Sequence, residues 1–327
     1  MKNFCLGVDL GSVSTDMVLI DESKNVYKKV YLRTFGKPVD SVHRGLKELF
    51  RGEKDICVIG AGATGSGRKI AAQMIGADII KNEITAHAVA AAQVCPQVST
   101  VMEIGGQDSK IIFLNDGVVT DFNMNTVCAA GTGSFLDRQA ERLGINISQM
   151  GSLALKSISP TPIAGRCAVF AESDMIHKQQ EGNSTNDILA GLCASLVRNY
   201  LNNLAPGRKL LPPILFQGGV AANKGIVAAF EREIGCDIIV PENHDVMGAW
   251  GAAILAMEKI ASGAKTRFRG TQNLDGNWQS RPVICKGCSN GCHVAVICLN
   301  DKPVGFVGNR CDGFLRTIKA ANPTQTR

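Results

Sequence analysis

Cysteine is the residue type with the most reactive chemistry in this sequence. Twelve cysteines occur in 327 residues. That density is well below that of a disulfide-stapled secreted domain, and a chain of this length can bury a sufficient core without staples. Iron, zinc or redox chemistry therefore explains the thiols better than disulfide bonding does.

Five cysteines lie beyond residue 282. Cys285, Cys288 and Cys292 have the spacing C-x-x-C-x-x-x-C, and Cys311 follows nineteen residues later. A separation of two residues lets two sulfurs reach one metal across a turn. These four cysteines predict a metal site in which zinc and an iron–sulfur cluster both stay open, with reduced thiols as the alternative. Cys298 is left unassigned.

Two further cysteines, Cys128 and Cys167, each stand just before a stretch of helical sequence. The unpaired N–H groups at a helix N-terminus favour a thiolate and an anionic metal centre. Two cysteines cannot complete a four-cysteine site, but a symmetric homodimer could, with one [4Fe-4S] cluster on its axis. The alternative is that both are small buried hydrophobes. We expect that for the remaining five: Cys5, Cys57, Cys95, Cys193 and Cys236.

Two short turns combine glycine with aspartate. They are Asp9-Leu10-Gly11-Ser12 and Gly105-Gly106-Gln107-Asp108, and each lies between strand-like segments. Glycine exposes backbone N–H groups to a phosphate, and a carboxylate can hold Mg²⁺ through water. Neither a P-loop nor a Rossmann glycine motif is present. Each turn by itself is explained equally well as an ordinary hairpin turn, but the turns together predict a nucleotide site of a different kind.

The elements around these turns follow a repeated design. Residues 4–8 and 16–20 read as an antiparallel hairpin, and residues 100–104 and 110–114 repeat it. A strand at 56–59 leads into a glycine-rich stretch at 60–68 and then helical sequence, and a helix covers 83–94. A third glycine turn, Gly218-Gly219, follows a strand and opens a helix. The repetition predicts duplicated α/β domains.

The composition argues against two classes of function, nucleic-acid binding and membrane insertion. Hydrophobic residues make up 45% of the chain and charged residues 20%, and the net charge of +6 is dispersed. This pattern gives no footprint for nucleic acid, and no apolar run of about 18 residues suggests a membrane span. We expect a cytoplasmic protein with reduced thiols.

The three glycine turns resemble the phosphate-1, phosphate-2 and adenosine motifs of the acetate/sugar kinase, Hsp70 and actin superfamily. The resemblance implies an α/β fold of two ribonuclease-H-like domains that close on Mg-ATP, plus a small Cys-rich tail. The predicted boundaries are 1–95 for the first domain, to which the C-terminal helix returns, and 96–260 for the second, which carries the cysteine helices. A linker (261–281) and the tail (282–327) follow.

Within that superfamily the chain is similar to the ATP-dependent activators of 2-hydroxyacyl-CoA dehydratases, the family that includes the ATPase subunits of benzoyl-CoA reductase. The similarity runs from about Asp9 to Ala256 and includes residues 62–68, 82–88, 103–109 and both cysteine segments. It implies a homodimeric iron–sulfur ATPase that takes an electron from ferredoxin or flavodoxin. The acceptor would be a dehydratase-like or double-cubane partner.

The resemblance also implies roles for individual residues. Asp9 and Asp108 would organise Mg²⁺, and with Gln107 they would form the catalytic set. The residues expected around ATP are Gly11, Ser12, Ser14, Thr15, Gly105, Gly106, Gly218, Gly219, Asn223, Met247 and Gly248. Cys128 and Cys167 would be the cluster ligands of each subunit.

Two other functions fit the same fold. One is a small-molecule kinase, which would need a carboxylate acting as base toward a bound hydroxyl. The other is a regulator that uses the nucleotide as a switch, with the Cys-rich tail as its binding module. The kinase hypothesis leaves Cys128 and Cys167 unexplained. A Cys-rich segment like this tail occurs in very long relatives, so the chain could also be one part of a split system.

Overall fold

The structure is a computed structural model and describes residues 2–125, 128–165, 167–311 and 314. The chain divides into two compact units. Unit 1 contains the residues up to Asn82 together with those from Ala252 onwards, and unit 2 is Glu83–Gly251. The domain boundaries predicted above stay a prediction.

Unit 1 is built on a five-stranded sheet with the order β3-β2-β1-β4-β5. The first three strands are antiparallel neighbours, whereas β4 and β5 continue the sheet in parallel. Two helices, α1 and α2, accompany the sheet. The bounds are β1 (Lys2–Leu10), β2 (Ser14–Ile20), β3 (Val26–Arg33), α1 (Pro38–Leu49), β4 (Ile56–Thr64), α2 (Arg68–Ile75) and β5 (Ile79–Ile80).

Unit 2 contains a second five-stranded sheet, β10-β9-β6-β7-β8, with helices between its strands. Its elements are α3 (Glu83–Val94), β6 (Thr100–Ile104), β7 (Ser109–Asn115), β8 (Val118–Asn125), α4 (Gly133–Arg142), α5 (Ile147–Ala154), α6 (Ala168–Gln180), α7 (Thr185–Leu204), β9 (Ile214–Gln217), α8 (Lys224–Ile234), β10 (Ile238–Ile239) and α9 (Met247–Ala261). The last helix begins in unit 2 and continues into the residues of unit 1.

The two sheets share one topology. In each, three consecutive antiparallel strands are followed by two strands added in parallel beside the first of them. The predicted hairpins and the helix over 83–94 are all present. The predicted duplication of an α/β domain is therefore confirmed, and so is the fold class.

One strand is longer than predicted: the strand expected over residues 56–59 extends to Thr64 as β4. The glycines in this stretch serve packing. A methyl group at Gly62 would lie 2.0 Å from the backbone oxygen of Ala252 in α9, and one at Gly60 would lie 2.8 Å from Ile260. Only glycine lets the helix backbone approach the strand this closely.

A third, three-stranded sheet lies at the C-terminal end. Its strands are β11 (Trp278–Ile284), β12 (His293–Leu299) and β13 (Lys302–Val307), all antiparallel. Ile297 is fully buried in the core of unit 1. The Arg269 guanidinium donates to the carbonyl oxygens of Gln73 and Val304, so it ties this sheet to α2.

The segment predicted as a linker, 261–281, is held by hydrogen bonds. The backbone N–H of Arg267 and the hydroxyl of Thr266 both donate to the Asp78 carboxylate. His43 on α1 contacts the carbonyl oxygen of Leu274 at 2.6 Å.

Among the helices that the structure describes, none has the length and apolar character needed to cross a membrane.

Candidate functional site

The first predicted turn joins β1 to β2. Asp9 lies near the end of β1 and pairs with Asp16 of β2. The backbone N–H of Gly11 donates to the carbonyl oxygen of Ser14 at 2.9 Å, which closes the turn, and Ser12 is exposed at its apex. Backbone N–H groups and a hydroxyl beside a carboxylate are the groups that a Mg-phosphate needs.

A second loop of unit 1 lies against this turn. Gly65, directly after β4, has a φ of +93°, and a methyl group there would lie 2.4 Å from Oδ1 of Asp9. The N–H of Gly67 donates to the carbonyl oxygen of Leu10 at 2.7 Å. Glycine is required at position 65 because of both the left-handed backbone and the close carboxylate.

Thr15, predicted among the phosphate ligands, lies inside unit 1. Its side chain is fully buried, and its hydroxyl is 2.9 Å from that of Thr34 and 2.8 Å from that of Ser41. The hydroxyl of Thr34 in turn donates to the carbonyl oxygen of Gly11. Thr15 therefore supports the turn from within.

The second predicted turn joins β6 to β7 in unit 2. The N–H of Gly105 donates to the carbonyl oxygen of Asp108 at 3.0 Å, and Gln107 is exposed at the apex. Asp108 is half-buried. This turn is closed by the same kind of backbone hydrogen bond as the first one, but its aspartate follows the glycines instead of preceding them.

A buried charge cluster lies beneath this second turn. The Lys110 ammonium is 2.8 Å from Oε2 of Glu103 and 2.9 Å from Oδ1 of Asp108. Lys110 and Glu103 have side chains that are only 3% and 5% exposed, whereas Asp108 is 31% exposed. Asp108 is therefore held in place from the protein interior while its other side faces solvent.

The cluster perturbs the ionisation of its members. Burial raises the pKa of Glu103 to about 7, although the neighbouring Lys110 pulls it in the opposite direction. Burial alone would lower the pKa of Lys110, but the carboxylates of Glu103 and Asp108 outweigh it and raise that pKa. Lys110 therefore stays cationic, and Glu103 is the member that titrates near neutral pH.

The third glycine turn lies beside the second. Gly218 has a φ of +90°, and a methyl group there would lie 2.5 Å from the carbonyl oxygen of Ile104 and 2.9 Å from Oε1 of Glu103. The N–H of Gly218 donates to the carbonyl oxygen of His244 at 2.8 Å, and the His244 ring contacts the Gly218 oxygen at 3.0 Å. Unit 2 thus brings two of the predicted turns together.

Gln217, at the end of β9, is fully buried before this turn. In the part of the chain that the structure describes, neither its amide nitrogen nor its amide oxygen has a hydrogen-bond partner. Buried amides are nearly always satisfied, so one without a partner beside a glycine turn is consistent with a missing ligand or water.

The other predicted adenosine residues have clear structural roles. Oδ1 of Asn223 accepts from the N–H groups of Gly225 and Ile226 and caps α8. Met247 begins α9 with a side chain that is 1% exposed, and Gly248 is buried beside it. Gly219, in contrast, is exposed. Gly219 is therefore the most accessible of the four.

Cys167 occupies a helix N-cap position, as predicted, whereas Cys128 lies five residues before the predicted helix α4. Cys128 caps the short 3₁₀ helix Ala129–Gly131, which precedes α4, and Cys167 caps α6. Both are half-buried. Neither thiol accepts a capping hydrogen bond from its helix, so both sulfurs remain available to a ligand.

Asn199 on α7 links the two cysteine segments. Its amide nitrogen donates to the carbonyl oxygen of Gly165 at 3.1 Å and contacts Sγ of Cys128 at 3.7 Å. Asn125 also contacts Cys128: its Oδ1 accepts a hydrogen bond from the Cys128 N–H at 2.9 Å. One helix therefore holds Cys128 and the residues just before Cys167 on the same side of unit 2.

The second turn is directly connected to the Cys128 segment. The N–H of Gly133 donates to the carbonyl oxygen of Gly105 at 2.8 Å, and the N–H of Ser134 donates to that of Gly106 at 2.9 Å. These donors are the first residues of α4, five residues after Cys128. The second turn and the segment that leads from Cys128 into α4 are thus in direct hydrogen-bond contact.

The four tail cysteines also lie together. A cavity of about 40 Å³ is bounded by Cys285, Gly287, Cys288, Cys292, Asn309, Arg310, Cys311 and Phe314. Within residues 2–125, 128–165, 167–311 and 314, however, no three His, Cys, Asp or Glu side chains are arranged so that they could hold a metal ion as they stand.

Sequence reasoning missed Lys110 and Asn199. A lysine at the head of the apolar run 111–114 was the available signal for the first, because a buried charge needs a partner. Asn199 left no comparable signal, since an asparagine in a helix is ordinarily exposed. Its role depends on which segments α7 packs against.

The two sheets with their glycine–aspartate turns define the class of protein. Residues of this chain superpose on a ROK family glucokinase from Streptomyces griseus with a TM-score of 0.51 over 78% of this chain and 99% of that one. The sequence identity is 13%, so this likeness shows the fold alone. The chain has the fold of the sugar kinases, as the sequence predicted.

The particular family follows from closer matches. Residues 6–256 match the BadF/BadG/BcrA/BcrD ATPase family, and the chain belongs to it. It is 34% identical over 265 residues to the (R)-2-hydroxyglutaryl-CoA dehydratase activating ATPase of Acidaminococcus fermentans, covering 80% of this chain and all of that one.

A solved relative agrees with this family. The activator of the 2-hydroxyisocaproyl-CoA dehydratase from Clostridium difficile, with bound ADPNP, is 32% identical with a TM-score of 0.72. The match covers 80% of this chain and 97% of that one. The family predicted from the turns and cysteine segments is confirmed.

Proposed function

We propose that this chain is an ATP-dependent activator that transfers single electrons from ferredoxin or flavodoxin to a partner of the 2-hydroxyacyl-CoA dehydratase type. The family is that of ATPases, and two relatives described above are named as activators of such dehydratases. A relative solved with ADPNP supports ATP as the nucleotide.

The observation that carries the proposal is the connection between the second turn and Cys128. Gly105 and Gly106 accept hydrogen bonds from the first two residues of α4, and Cys128 lies in the segment that leads into that helix. A kinase acting on a small molecule would not need its phosphate turn tied to a cysteine. An ATPase that controls a redox centre would.

The nucleotide roles follow from the two turns. In this proposal Asp9 and Asp108 organise Mg²⁺, and exposed Gln107 orients water. The phosphates would contact the accessible residues of the turns, and Gly218 with Gly219 would border the adenosine, along with the start of α9 at Met247 and Gly248. The proposed phosphate set is Gly11, Ser12, Ser14, Gly105 and Gly106.

The residues of unit 2 fit half of a four-cysteine iron–sulfur site. Cys128 and Cys167 are both half-buried N-cap thiols, and Asn199 connects their segments. A [4Fe-4S] cluster, when bound, would accept and release one electron at low potential. Asn125 would hold the Cys128 backbone, and Asn199 would orient the Cys128 thiol through its amide.

A second subunit would supply the other two thiols. On α6, Val169 and Phe170 follow Cys167 directly and are 69% and 66% exposed. Large apolar side chains this exposed beside a candidate ligand favour a protein interface over solvent. A symmetric dimer about this face places like residues opposite each other.

Anaerobic purification followed by iron and acid-labile sulfide analysis tests the proposal. We expect about two iron atoms per chain, as one cluster shared by two subunits requires. Cys128→Ser and Cys167→Ser should each lose the iron but keep nucleotide binding. Cys57→Ser, at a half-buried cysteine in unit 1, is the matched control and should keep the iron.

Two results would contradict the proposal, one its function and one its Mg²⁺ site. An iron-free chain that transfers the γ-phosphate of ATP to a sugar or another small hydroxylated molecule would establish the kinase alternative. An Asp9→Ala protein that hydrolyses ATP at the parent rate would overturn the Mg²⁺ assignment alone.

A further inference from the structure

The C-terminal sheet brings four cysteines around one cavity although they come from two separate segments. Cys285 directly follows β11 and Cys292 directly precedes β12. The N–H of Cys285 donates to the carbonyl oxygen of Cys292 at 2.9 Å, which closes the connecting loop at its base. Cys288 lies within this loop and is exposed.

Strand register brings the fourth cysteine to the same place. Val307, at the end of β13, pairs with Ala295 near the start of β12, so the chain leaving β13 runs past the loop. Gly308 has a φ of +103°, and a methyl group there would lie 2.4 Å from the carbonyl oxygen of His293. The glycine permits this close passage, and Cys311 follows three residues later.

The small sheet has little core of its own. Five buried residues form it, and two of them are cysteines: Cys285, Val294, Val296, Cys298 and Phe314. Ile297 also packs this sheet on the core of unit 1, so a bound metal would stabilise the loop that carries the cysteines rather than the whole sheet. Cys298 lies in the core and does not border the cavity.

We propose that Cys285, Cys288, Cys292 and Cys311 bind one structural zinc ion. The C-x-x-C spacing of Cys285 and Cys288 suits tetrahedral zinc. The four thiols that border this one cavity complete the donor set of a tetrahedral structural zinc site, and the iron analysis below distinguishes zinc from a cluster on the same thiols.

Binding requires a local movement of the two exposed thiols. Cys285 is buried and Cys292 half-buried, whereas Cys288 and Cys311 are both exposed. Closing the last two onto the first two would complete the tetrahedron, with loss of thiol protons to solvent as the ion binds. The site lies beyond residue 256, where the family match ends, so it is separate from the proposed electron-transfer cysteines.

Metal analysis of the purified full-length chain tests this proposal. We expect about one zinc per chain after aerobic purification. The double variant Cys288→Ser/Cys311→Ser should lose the zinc while the iron content of the anaerobic protein is unchanged. Cys128→Ser should do the opposite, so failure of the zinc site and failure of the proposed function are distinguishable.

Cobalt provides a second readout that does not depend on a variant folding. The parent chain loaded with Co²⁺ should show the visible bands and thiolate charge-transfer absorption of tetrahedral sulfur coordination. Loss of about four iron atoms per chain in the double variant would instead establish a second cluster. Zinc that stays bound in that variant, or a parent chain without zinc, would also overturn the proposal.

Discussion

Lys110 determines how the second turn presents its carboxylate. Its ammonium lies between Glu103 and Asp108, and its own side chain is 3% exposed. The cluster therefore fixes Asp108 without using any group that a nucleotide would contact. Lys110 positions Asp108, and its removal would leave the carboxylates of Glu103 and Asp108 without the cation between them.

Lys110→Met should destabilise the protein by about 3 to 5 kcal/mol, because breaking a buried ion pair strands a charge in the interior. Lys47→Met is the matched control, since Lys47 is 44% exposed and pairs with an almost fully exposed Asp275. That change should cost less than about 1 kcal/mol. Urea denaturation of both variants provides the comparison, and equal losses would contradict the role of the cluster.

Glu103 should make stability depend on pH. Its pKa is raised by burial from 4.5 to about 7, so the folded chain binds the proton more tightly than the unfolded chain does. The stabilisation is complete below the unfolded pKa and is lost as the pH rises through the folded one.

The test is the urea midpoint measured from about pH 5 to about pH 8. The parent chain should lose stability across this window relative to Glu103→Gln, whose neutral amide does not titrate. Glu48→Gln, on the exposed face of α1, should follow the parent. A Glu103→Gln protein with the pH dependence of the parent would show that Glu103 is not the titrating group.

At the scale of elements, close packing of strand and helix shapes unit 1. A methyl group at Gly62 would lie 2.0 Å from the backbone oxygen of Ala252, and backbone cannot move aside as a flexible side chain can. Gly62→Ala should therefore cost more than about 3 kcal/mol.

Gly263→Ala is the control for this substitution. Gly263 has a φ of +89° with nothing within 4 Å of an added methyl group, so only backbone strain of about 1 to 2 kcal/mol is expected. A thermal or urea melt distinguishes the two variants. If Gly62→Ala were the milder change, the packing explanation for the glycines of β4 would fail.

Asn199 is the second element-scale test. Asn199→Ala removes the hydrogen bond to Gly165 and the contact with Cys128 but leaves both proposed ligands in place. We expect less iron per chain after anaerobic purification, with nucleotide binding retained. Asn202→Ala, at an exposed position of the same helix, is the control and should retain the iron of the parent. Equal iron in all three proteins would show that Asn199 does not support the cluster site.

The sequence predicted the elements well where local pattern decides them. Alternating strands, the alanine-rich helix and the N-cap position of Cys167 all depend on neighbouring residues. It ended the strand of residues 56–59 too early, because glycines usually end a strand and only the approach of α9 explains them here. Asn199 was missed because its partners, Gly165 and Cys128, are distant along the chain. The partners of Lys110 are near in sequence, but the sequence does not show that Lys110 and Glu103 are buried together.

At the scale of the whole molecule, the proposed dimer face on α6 is open to test. Phe170→Glu places a charge on an apolar side chain that is 66% exposed beside Cys167. We expect it to shift the chain from dimer to monomer in analytical ultracentrifugation. Phe35→Glu is the control, because Phe35 is 76% exposed and belongs to unit 1. Loss of the dimer in both variants, or in neither, would argue against this face.

The proposed function requires the nucleotide state to control how the proposed cluster site is held. The most direct measurement is the rate at which an iron chelator removes iron from the anaerobic protein in MgATP and in MgADP. Because the second turn is hydrogen-bonded to the segment that follows Cys128, we predict clearly different rates in the two nucleotides. Identical rates of iron removal in an iron-containing protein that hydrolyses ATP would show that the nucleotide does not control the cluster site.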